Sequence, residues 1–240
     1  MFKSLKIGTK LILIGAIILI IPLGTIGYIA VNEATIGLVD LEHEQLLTRT
    51  DELSAAVENV LRVEKKLVRE IAIGTTTREV MTQLYQGTTE NPQATRDRLS
   101  DKFSRFKNTE GLGEEYQVVF ATDTSGTVTA ASDPSYLDVS VQDRDYYQAA
   151  IDGNTIIGRP NLNKVTNEPF IPISTPIYSE EGVMVGTIGA ILNIGFLNNL
   201  ILNAPIGDTG YAFLVDSQGI VMSHPDESTL FELNIKELEG

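Results

Sequence analysis

The chain has 240 residues, of which 32 are acidic and 18 basic, and a formal net charge of −14. That length fits one or two domains with a sizeable core, and the acidic balance disfavours contact with nucleic acid or anionic lipid. The sequence contains no cysteine, which excludes disulfides and thiolate metal sites, so packing alone has to hold the fold together.

An apolar run without a single charge extends from 11 to 31. As a helix rising about 1.5 Å per residue it measures about 31 Å, close to the ~30 Å hydrocarbon thickness of a bilayer, so it predicts a transmembrane helix. Three basic residues precede the run and all 32 acidic residues follow it. Because positive charge stays cytoplasmic, residues 1–10 are predicted to be a cytoplasmic tail. Residues 32–240, with 15 basic and 32 acidic residues and thus a net charge of −17, are predicted to be extracytoplasmic.

A cleaved signal peptide is the alternative explanation of this run. Signal peptides have apolar cores of about 7–15 residues, whereas the run here has 21 residues. The sequence therefore favours an uncleaved anchor, and we expect a cell-membrane protein with one N-terminal transmembrane helix.

A long helix is predicted from 32 to 75, directly after the apolar run. Apolar residues recur along it every seven positions, at Val39, Leu46, Leu53, Val60 and Leu67. A second line with the same seven-residue spacing is only partly apolar and consists of His43, Thr50, Val57, Glu64 and Ile71. The pattern therefore predicts one packing seam rather than a full coiled coil. The seam either packs on the chain's own domain or joins a second subunit. We expect a homodimer through this helix.

The pattern changes to an α+β unit between 76 and 203, where helical periods give way to runs of β-forming residues separated by turn residues. Helices are predicted at 78–86, around Leu99 to Phe106, at 143–151 and at 194–203. Strands are predicted at 116–122, 127–132, 154–159, 169–178, 183–193 and 211–216.

A short motif occurs twice, 93 residues apart. Asp123-x-x-Gly126-x-Val128 is repeated as Asp216-x-x-Gly219-x-Val221, and β-forming runs flank both copies. Duplication explains this better than chance because the hairpin context matches as well. Only 21 residues follow the second glycine. Residues 204–240 are therefore predicted to be the start of a second unit, in a chain that is a fragment.

No catalytic constellation is convincing in this sequence. It contains no Gly-x-Ser-x-Gly nucleophile elbow, no P-loop and no Gly-x-Gly-x-x-Gly fingerprint, and no pair of carboxylates has a spacing typical of acid–base catalysis. We therefore predict a protein that is not an enzyme, with no catalytic residue, no cofactor and no metal site.

The most informative motifs lie between 116 and 226. They read Arg144-Asp-Tyr146-Tyr147-Gln-Ala149-Ala150, Gly153, Arg159-Pro160, Ser174-Thr-Pro176, Val185-Gly-Thr-Ile-Gly189, Gly207-Asp-Thr-Gly and His224-Pro225. This order resembles the extracytoplasmic Cache domain family, whose pattern is Arg-x-Tyr/Trp-Tyr/Phe-x-x-Ala, a glycine, a strand, a Pro-containing loop and a hairpin ending in Val-x-Gly-x-x-Gly. The resemblance extends over about 32–240.

The resemblance implies a long N-terminal helix followed by PAS-like α/β units, each a curved antiparallel sheet with helices. In this family the membrane-distal unit, here 76–203, is normally the ligand-binding one. Such modules are the outer parts of chemoreceptors, sensor histidine kinases and diguanylate cyclases. A short lysine-rich tail before the membrane helix is commonest in methyl-accepting chemotaxis receptors, so the resemblance implies a receptor of that kind.

Arg144, Tyr146 and Tyr147 are the centre of the predicted ligand-binding site. An arginine binds a carboxylate bidentately through charge-assisted hydrogen bonds, and tyrosines offer flat apolar faces with polar tips. The alternative is that Arg144 pairs with Asp143 or Asp145 at the surface while one tyrosine packs in the core.

Three further ligand positions follow from the resemblance. The amino-acid-sensing subgroup has a tyrosine and an aspartate in the loop after the pocket helix and another aspartate on the last hairpin strand, and these hold the ligand's ammonium group. The corresponding positions here are Asn161, Asn163 and Ile191, and Lys164 adds positive charge nearby. An ammonium group would lose its counter-charge at such a site. We therefore expect a small carboxylate or another polar molecule rather than a standard α-amino acid.

Three functions agree with these features. The first is the sensing region of a chemotaxis receptor, which binds a small polar molecule and relays binding across the membrane. The second is the input domain of a sensor histidine kinase or a diguanylate cyclase, whose enzyme lies beyond this sequence. The third is an anchored structural or interaction protein.

Overall fold

We describe the protein from a computed structural model that covers residues 7–111, 113, 115–163, 165–166, 168–204, 206–207 and 210–238. The chain divides into two units, Met1–Ser54 and Ala55–Gly240. Most of the predicted cytoplasmic tail, residues 1–6, lies outside the described residues, and so does Lys164.

The first helix, α1 (Ile7–Ile73), contains both the predicted transmembrane run and the predicted long helix. Pro22 lies within it without ending it, as is tolerated in membrane helices. Among the described residues, α1 is the one helix long and apolar enough to cross a membrane by length and composition. From 18 to 31 the apolar side chains are exposed, for example Leu19 at 64% and Ile26 at 65%, which is the arrangement that a lipid-facing helix needs.

Within the second unit, the last turns of α1 pack one face on the domain core. Four residues of this part are buried: Val57, Val68, Ile71 and Ala72. The buried face follows the second, less apolar heptad line, because Val57 and Ile71 belong to that line. Leu67, of the first line, is only half-buried. In this part of the helix the chain's own domain therefore covers mainly the second line, and Leu67 of the first line packs against the same core.

The described chain after α1 forms four α-helices and eight strands. The helices are α2 (Thr75–Gln86), α3 (Pro92–Lys107), α4 (Asp145–Ile151) and α5 (Ile194–Leu202). The strands are β1 (Tyr116–Thr122), β2 (Val128–Ala131), β3 (Ile156–Ile157), β4 (Asn161–Leu162), β5 (Pro169–Tyr178), β6 (Met184–Asn193), β7 (Leu214–Val215) and β8 (Val221–Ser223). One antiparallel sheet has the order β2-β1-β6-β5-β3, with β4 also paired to β5, and β7 pairs with β8 in a second sheet.

The large sheet buries both of its faces, because side chains along a strand point alternately to opposite sides. On β1, Val119 and Ala121 join the core formed with α1, α2, α3 and α5, and so does Tyr116, which lies before an irregularity in the pairing of β1 with β6. Val118 and Phe120 of the same strand join a smaller core with α4. An α+β fold with a long apolar N-terminal helix and an antiparallel sheet was predicted and is confirmed. The face covered by α4 carries the candidate site.

Several predicted elements differ from the structure at their ends. α4 begins at Asp145 rather than 143, because Arg144 has the extended backbone of an N-cap, with φ −85° and ψ 133°. The strand predicted at 154–159 is replaced by the two short strands β3 and β4, and Pro160, which has no N–H to donate, lies between them. The strand predicted at 211–216 is reduced to β7.

The sequence repeat is matched by a repeat of hydrogen bonds. Asp123 Oδ1 accepts from the backbone N–H groups two and four residues later, both at 2.9 Å. Asp216 Oδ1 accepts from the equivalent groups at 2.8 and 2.9 Å. The glycine of each turn has a left-handed backbone, with φ 85° at Gly126 and 89° at Gly219, which a β-carbon would strain.

The match continues after the turns. Asp133 and Asp226 each accept two hydrogen bonds through Oδ1 from the backbone N–H and the hydroxyl of the serine two residues later. Asp138 and Phe231, again 93 residues apart, both have positive φ, at 62° and 63°. The N–H of each returns to a strand carbonyl of its own hairpin, at 3.0 and 2.9 Å. The two segments therefore share one backbone design.

Tyr116 connects the sheet to α1. Its hydroxyl donates a hydrogen bond to Glu64 Oε2, and its ring packs on Phe106 with the centroids 5.5 Å apart. Burial, the hydrogen bond and the charge of Glu64 together raise the pKa of Tyr116 well above its ordinary value. The phenol therefore stays protonated and available as a donor at neutral pH.

We expect Tyr116→Phe to lower the free energy of unfolding by about 1.5 kcal/mol, because the ring remains while a hydrogen bond to a carboxylate is lost. Urea unfolding of the 240-residue chain in detergent micelles measures this change. Tyr85→Phe is the matched control, since Tyr85 is 53% exposed, and its effect should stay within about 0.5 kcal/mol. Equal losses in the two variants would show that the bond to Glu64 adds no stability.

Candidate ligand-binding site

A buried cavity of about 20 Å³ lies between α4 and the sheet. Four of the six predicted ligand residues line it: Arg144, Tyr146, Asn163 and Ile191. Seven residues that were not predicted complete the lining: Phe120, Val128, Tyr136, Val139, Val141, Val165 and Phe170. The cavity is thus mostly apolar, with a few polar groups in its wall, as is typical of small-molecule sites.

Arg144 supplies the positive charge of this cavity. It is the N-cap residue of α4, and its Nη1 donates a hydrogen bond to Asn161 Oδ1 at 2.8 Å. No carboxylate is found among the described residues that line the cavity. A guanidinium binds a carboxylate more strongly than it binds an amide oxygen. A ligand carboxylate is therefore a better partner for the Arg144 side chain than the amide oxygen of Asn161.

Tyr146 is buried and places its ring edge against Phe170, with the centroids 6.3 Å apart and an interplanar angle of 80°. Burial raises the pKa of Tyr146 above its ordinary value, and the positive charge of Arg144 offsets this only in part. The phenol is therefore neutral and acts as a hydrogen-bond donor or acceptor. Within the described residues its hydroxyl makes no hydrogen bond, so it is available to a molecule in the cavity.

Asn163 holds the polar part of the wall in place. Its Nδ2 donates to Tyr136 Oη at 2.5 Å and to Gln117 Oε1 at 2.9 Å. Its Oδ1 accepts from the N–H of Val165 at 2.9 Å. Burial also raises the pKa of Tyr136, so this cluster of polar groups is neutral at physiological pH.

The remaining wall is apolar. Ile191, on β6, is only 3% exposed and lies near Phe120 and Phe170 in the same core. The Phe120 ring rests on Gly189, where a β-carbon would lie 2.3 Å from ring Cζ. A glycine at this position of β6 therefore makes room for the ring, and the wall so formed has no acidic partner for an ammonium group.

Two predicted residues lie outside the cavity lining. Tyr147 is buried, but its hydroxyl donates to the carbonyl oxygen of Thr124 at 2.9 Å, which fastens α4 to the turn after β1. Asn161 stands beside the cavity as the acceptor for Arg144. The Tyr147 ring thus packs in the core while its hydroxyl is bonded to the backbone. Direct contact of Tyr147 or Asn161 with a ligand stays a prediction.

The unpredicted lining residues carry weak sequence signals. Phe120 and Val128 lie on neighbouring strands in which almost every residue is buried, so the sequence predicts strands there but not which face of the sheet each side chain occupies. Tyr136 lies in a single 3-10 turn, Pro134–Tyr136, which has no periodic pattern. Its hydrogen bond to Asn163 connects segments 27 residues apart.

An antiparallel sheet that follows a long apolar helix, with a small cavity beside a short helix, makes this an α+β domain of the architecture that the sequence resemblance implies. More particularly, the chain belongs to the Cache domain family, because the sequence model of that family matches residues 37–240. The family resemblance seen in the sequence is confirmed.

Relatives and solved structures agree with this assignment. The chain is 26% identical over 239 residues to the methyl-accepting chemotaxis protein PctB of Pseudomonas aeruginosa, a match that covers 97% of this chain and 34% of PctB. The chain thus spans about a third or less of the length of the curated relatives it matches.

Two solved domains illustrate the fold. The ligand-binding domain of the Pseudomonas fluorescens chemoreceptor CtaA, in complex with L-serine, is 20% identical with a TM-score of 0.57, covering 78% of this chain and 74% of that one. The sensor domain of the V. cholerae histidine kinase DctB is 14% identical with a TM-score of 0.64, covering 83% and 74%. At these identities the likeness shows the fold alone.

Proposed function

We propose that this chain is the extracytoplasmic ligand-sensing region of a transmembrane chemotaxis receptor and that its buried cavity binds a small carboxylate. The observation that carries the proposal is the position of Arg144, the N-cap residue of α4, in a mostly apolar cavity lining beside Tyr146. The curated relatives are methyl-accepting chemotaxis proteins, which favours chemotaxis over a kinase or cyclase input and over an anchored interaction protein.

The chemistry of the wall supports a ligand without a required ammonium group. A carboxylate takes the place of Asn161 Oδ1 at the Arg144 guanidinium, and the Tyr146 hydroxyl adds a second donor. An ammonium group, in contrast, would lie against the apolar side chains of Ile191 and Phe170 without a counter-charge, which is costly. CtaA was solved with an α-amino acid, and we propose a different class of ligand for this chain.

The size of the cavity supports a conformational response. A volume of 20 Å³ holds about one water molecule, so even a small acid has to displace lining side chains. We propose that Arg144 exchanges Asn161 for the ligand and that α4 shifts with it. Binding then favours a conformation different from the ligand-free one, as a sensor requires.

The proposed topology has a cytoplasmic tail at 1–10, a single transmembrane segment at 11–31 and an extracytoplasmic part at 32–240. The long helix occupies 32–75 and the membrane-distal ligand-binding unit 76–203. We propose that 204–240 begins a membrane-proximal unit. The hydrogen bonds repeated around Asp123 and Asp216 support this, because they give both segments the same hairpin and turn geometry.

We also propose that two copies of the chain associate through α1. Along the unit Met1–Ser54, the first heptad line exposes Val39 at 58% and Leu46 at 48%. Apolar side chains in a heptad line on an exposed helix are typical of a helix–helix seam. Further along α1, the domain core buries Val57 and Ile71 of the second line, while Leu67 of the first line is half-buried against the same core. The exposed part of the first line, at Val39 and Leu46, is therefore available for a second copy.

The proposed ligand class predicts which molecules stabilise the chain. Formate, acetate, propionate, lactate and pyruvate are titrated against the 240-residue chain in detergent micelles, and the thermal unfolding midpoint is measured. A ligand at 100 times its dissociation constant adds about 2.7 kcal/mol to the free energy of unfolding. We expect at least one acid to stabilise the chain and Arg144→Ala to abolish the effect. Arg144→Lys should weaken it, because the bidentate geometry is lost.

Arg159→Ala is the matched control, since Arg159 is exposed and does not line the cavity. It should leave the response to the acid unchanged. Stabilisation by α-amino acids that disappears in Arg144→Ala, without any response to the simple acids, would contradict the proposed ligand class. If the acid still stabilised both Arg144→Ala and Arg159→Ala, it would bind elsewhere.

A further inference from the structure

A second, larger cavity of about 190 Å³ lies between α2, α3 and the turn that follows β1. It is on the opposite side of the sheet from Arg144, because Met81 and Val185, which line it, belong to the core that contains α1, α2 and α3. Leu84 and Tyr85 extend this apolar wall. The two charged residues of the lining are Arg96 and Asp123, and neither takes part in the function proposed above.

Arg96, which lines the cavity, has an unsatisfied donor. Its Nε is buried and has no hydrogen-bond partner. Its Nη1 is 3.8 Å from Asp138 Oδ1, which is too far for a hydrogen bond, and the Asp138 side chain is 80% exposed. A buried N–H without an acceptor is costly, and in a native structure it calls for an explanation such as a ligand that supplies the acceptor.

Asp123 supplies an opposite charge at a defined position. Its Oδ1 accepts from the N–H and the hydroxyl of Ser125, at 2.9 and 2.7 Å, and from the N–H of Thr127 at 2.9 Å. These three bonds fix the carboxylate within the turn, and Oδ2 is not involved in them. With Asp138 also nearby, acidic groups outnumber Arg96, so a simple anion would meet net repulsion. A molecule that carries both charges is complementary to both residues.

We propose that this cavity binds a small aliphatic zwitterion, with its carboxylate at the Arg96 guanidinium, its ammonium group towards Asp123 and its aliphatic part against Met81 and Leu84. Branched aliphatic α-amino acids have this combination of groups. The site is separate from the cavity at Arg144, so either site can be tested without the other.

Equilibrium dialysis with radiolabelled L-leucine tests the proposal on the 240-residue chain in detergent micelles. We expect saturable binding that Arg96→Gln and Asp123→Asn each weaken about tenfold or more, since each removes one charged partner. Asp123→Asn keeps an oxygen that accepts the turn's hydrogen bonds. Isocaproate, which is leucine without its ammonium group, and isopentylamine, which is leucine without its carboxylate, should both compete poorly.

Arg98→Gln is the matched control because it makes the same charge change on the same helix. The Arg98 side chain is 56% exposed and pairs with Glu79 at 3.5 Å, so leucine binding should be unchanged. Absence of saturable binding, binding that survives Arg96→Gln, or isocaproate competing as well as leucine would each overturn the proposal. Leucine binding that Arg144→Ala removes would assign it to the other cavity and overturn it as well. Should Arg96→Gln fail to fold, Asp123→Asn and the two analogues decide.

Discussion

Gly186→Ala is expected to lower the free energy of unfolding by about 3 kcal/mol or more, which combines backbone strain with overpacking. Gly186 has φ 151°, and a β-carbon there would lie 2.0 Å from the carbonyl oxygen of Thr122 and 2.9 Å from Met81 Cε. The nearer atom belongs to the backbone of β1, which cannot rotate away as a side chain does. Alanine therefore has to push β1 and β6 apart where they pair, at Thr122 and Thr187.

Urea unfolding of the 240-residue chain in detergent micelles measures this loss. Gly182→Ala is the matched control, because Gly182 also has a positive φ of 80° but has nothing within 4 Å of a β-carbon. It should cost about 1–2 kcal/mol, the cost of a left-handed alanine alone. If the two variants lost equal stability, close approach to Thr122 would not be the reason for the glycine.

The fold was predictable from the sequence wherever the pattern is local. Near-continuous runs of apolar and β-forming residues along β1 and β6 predict strands that are buried on both faces, and Gly126 marks its turn because few other residues adopt a left-handed backbone. The short strands were less predictable. β3 and β4 each have two residues, and their pairing with β5 is a tertiary effect that no local pattern expresses.

The candidate site was predictable only in part, for two physical reasons. Arg144 and Tyr146 follow from a motif on one helix, but successive residues of a helix do not share a face, so Tyr147 points elsewhere. The other walls come from strands and loops distant in sequence, such as Phe120 and Phe170. The cavity at Arg96 had no sequence signal at all, because α2, α3 and the turn at Asp123 meet only in the folded chain.

Ile191→Asp is expected to change both the stability and the ligand class of the cavity at Arg144. Ile191 is 3% exposed, and burying a carboxylate there should cost about 3 kcal/mol or more in the absence of ligand. Burial also raises the pKa of such a carboxylate, while Arg144 in the same cavity lowers it. An α-amino acid meets both charges, since its carboxylate binds Arg144 and its ammonium group binds the new aspartate. We therefore expect the variant to gain amino-acid binding that the further change Arg144→Ala removes.

Ile191→Asn separates the effect of charge from the effect of polarity and size. Asparagine has nearly the same shape as aspartate and loses the same packing, but it gives an ammonium group no counter-charge. Thermal unfolding is therefore measured with and without L-serine, which lacks the branched aliphatic side chain proposed for the cavity at Arg96, at 100 times its dissociation constant for the aspartate variant. The ligand should add about 2.7 kcal/mol to the free energy of unfolding of the aspartate variant and little to that of the asparagine variant. Equal responses of the two would mean that the apolar wall at Ile191 does not determine the ligand class. If only the aspartate variant responds, a negative charge at position 191 is what an ammonium group requires. The natural cavity would then select a carboxylate without an ammonium group because Ile191 supplies no such charge.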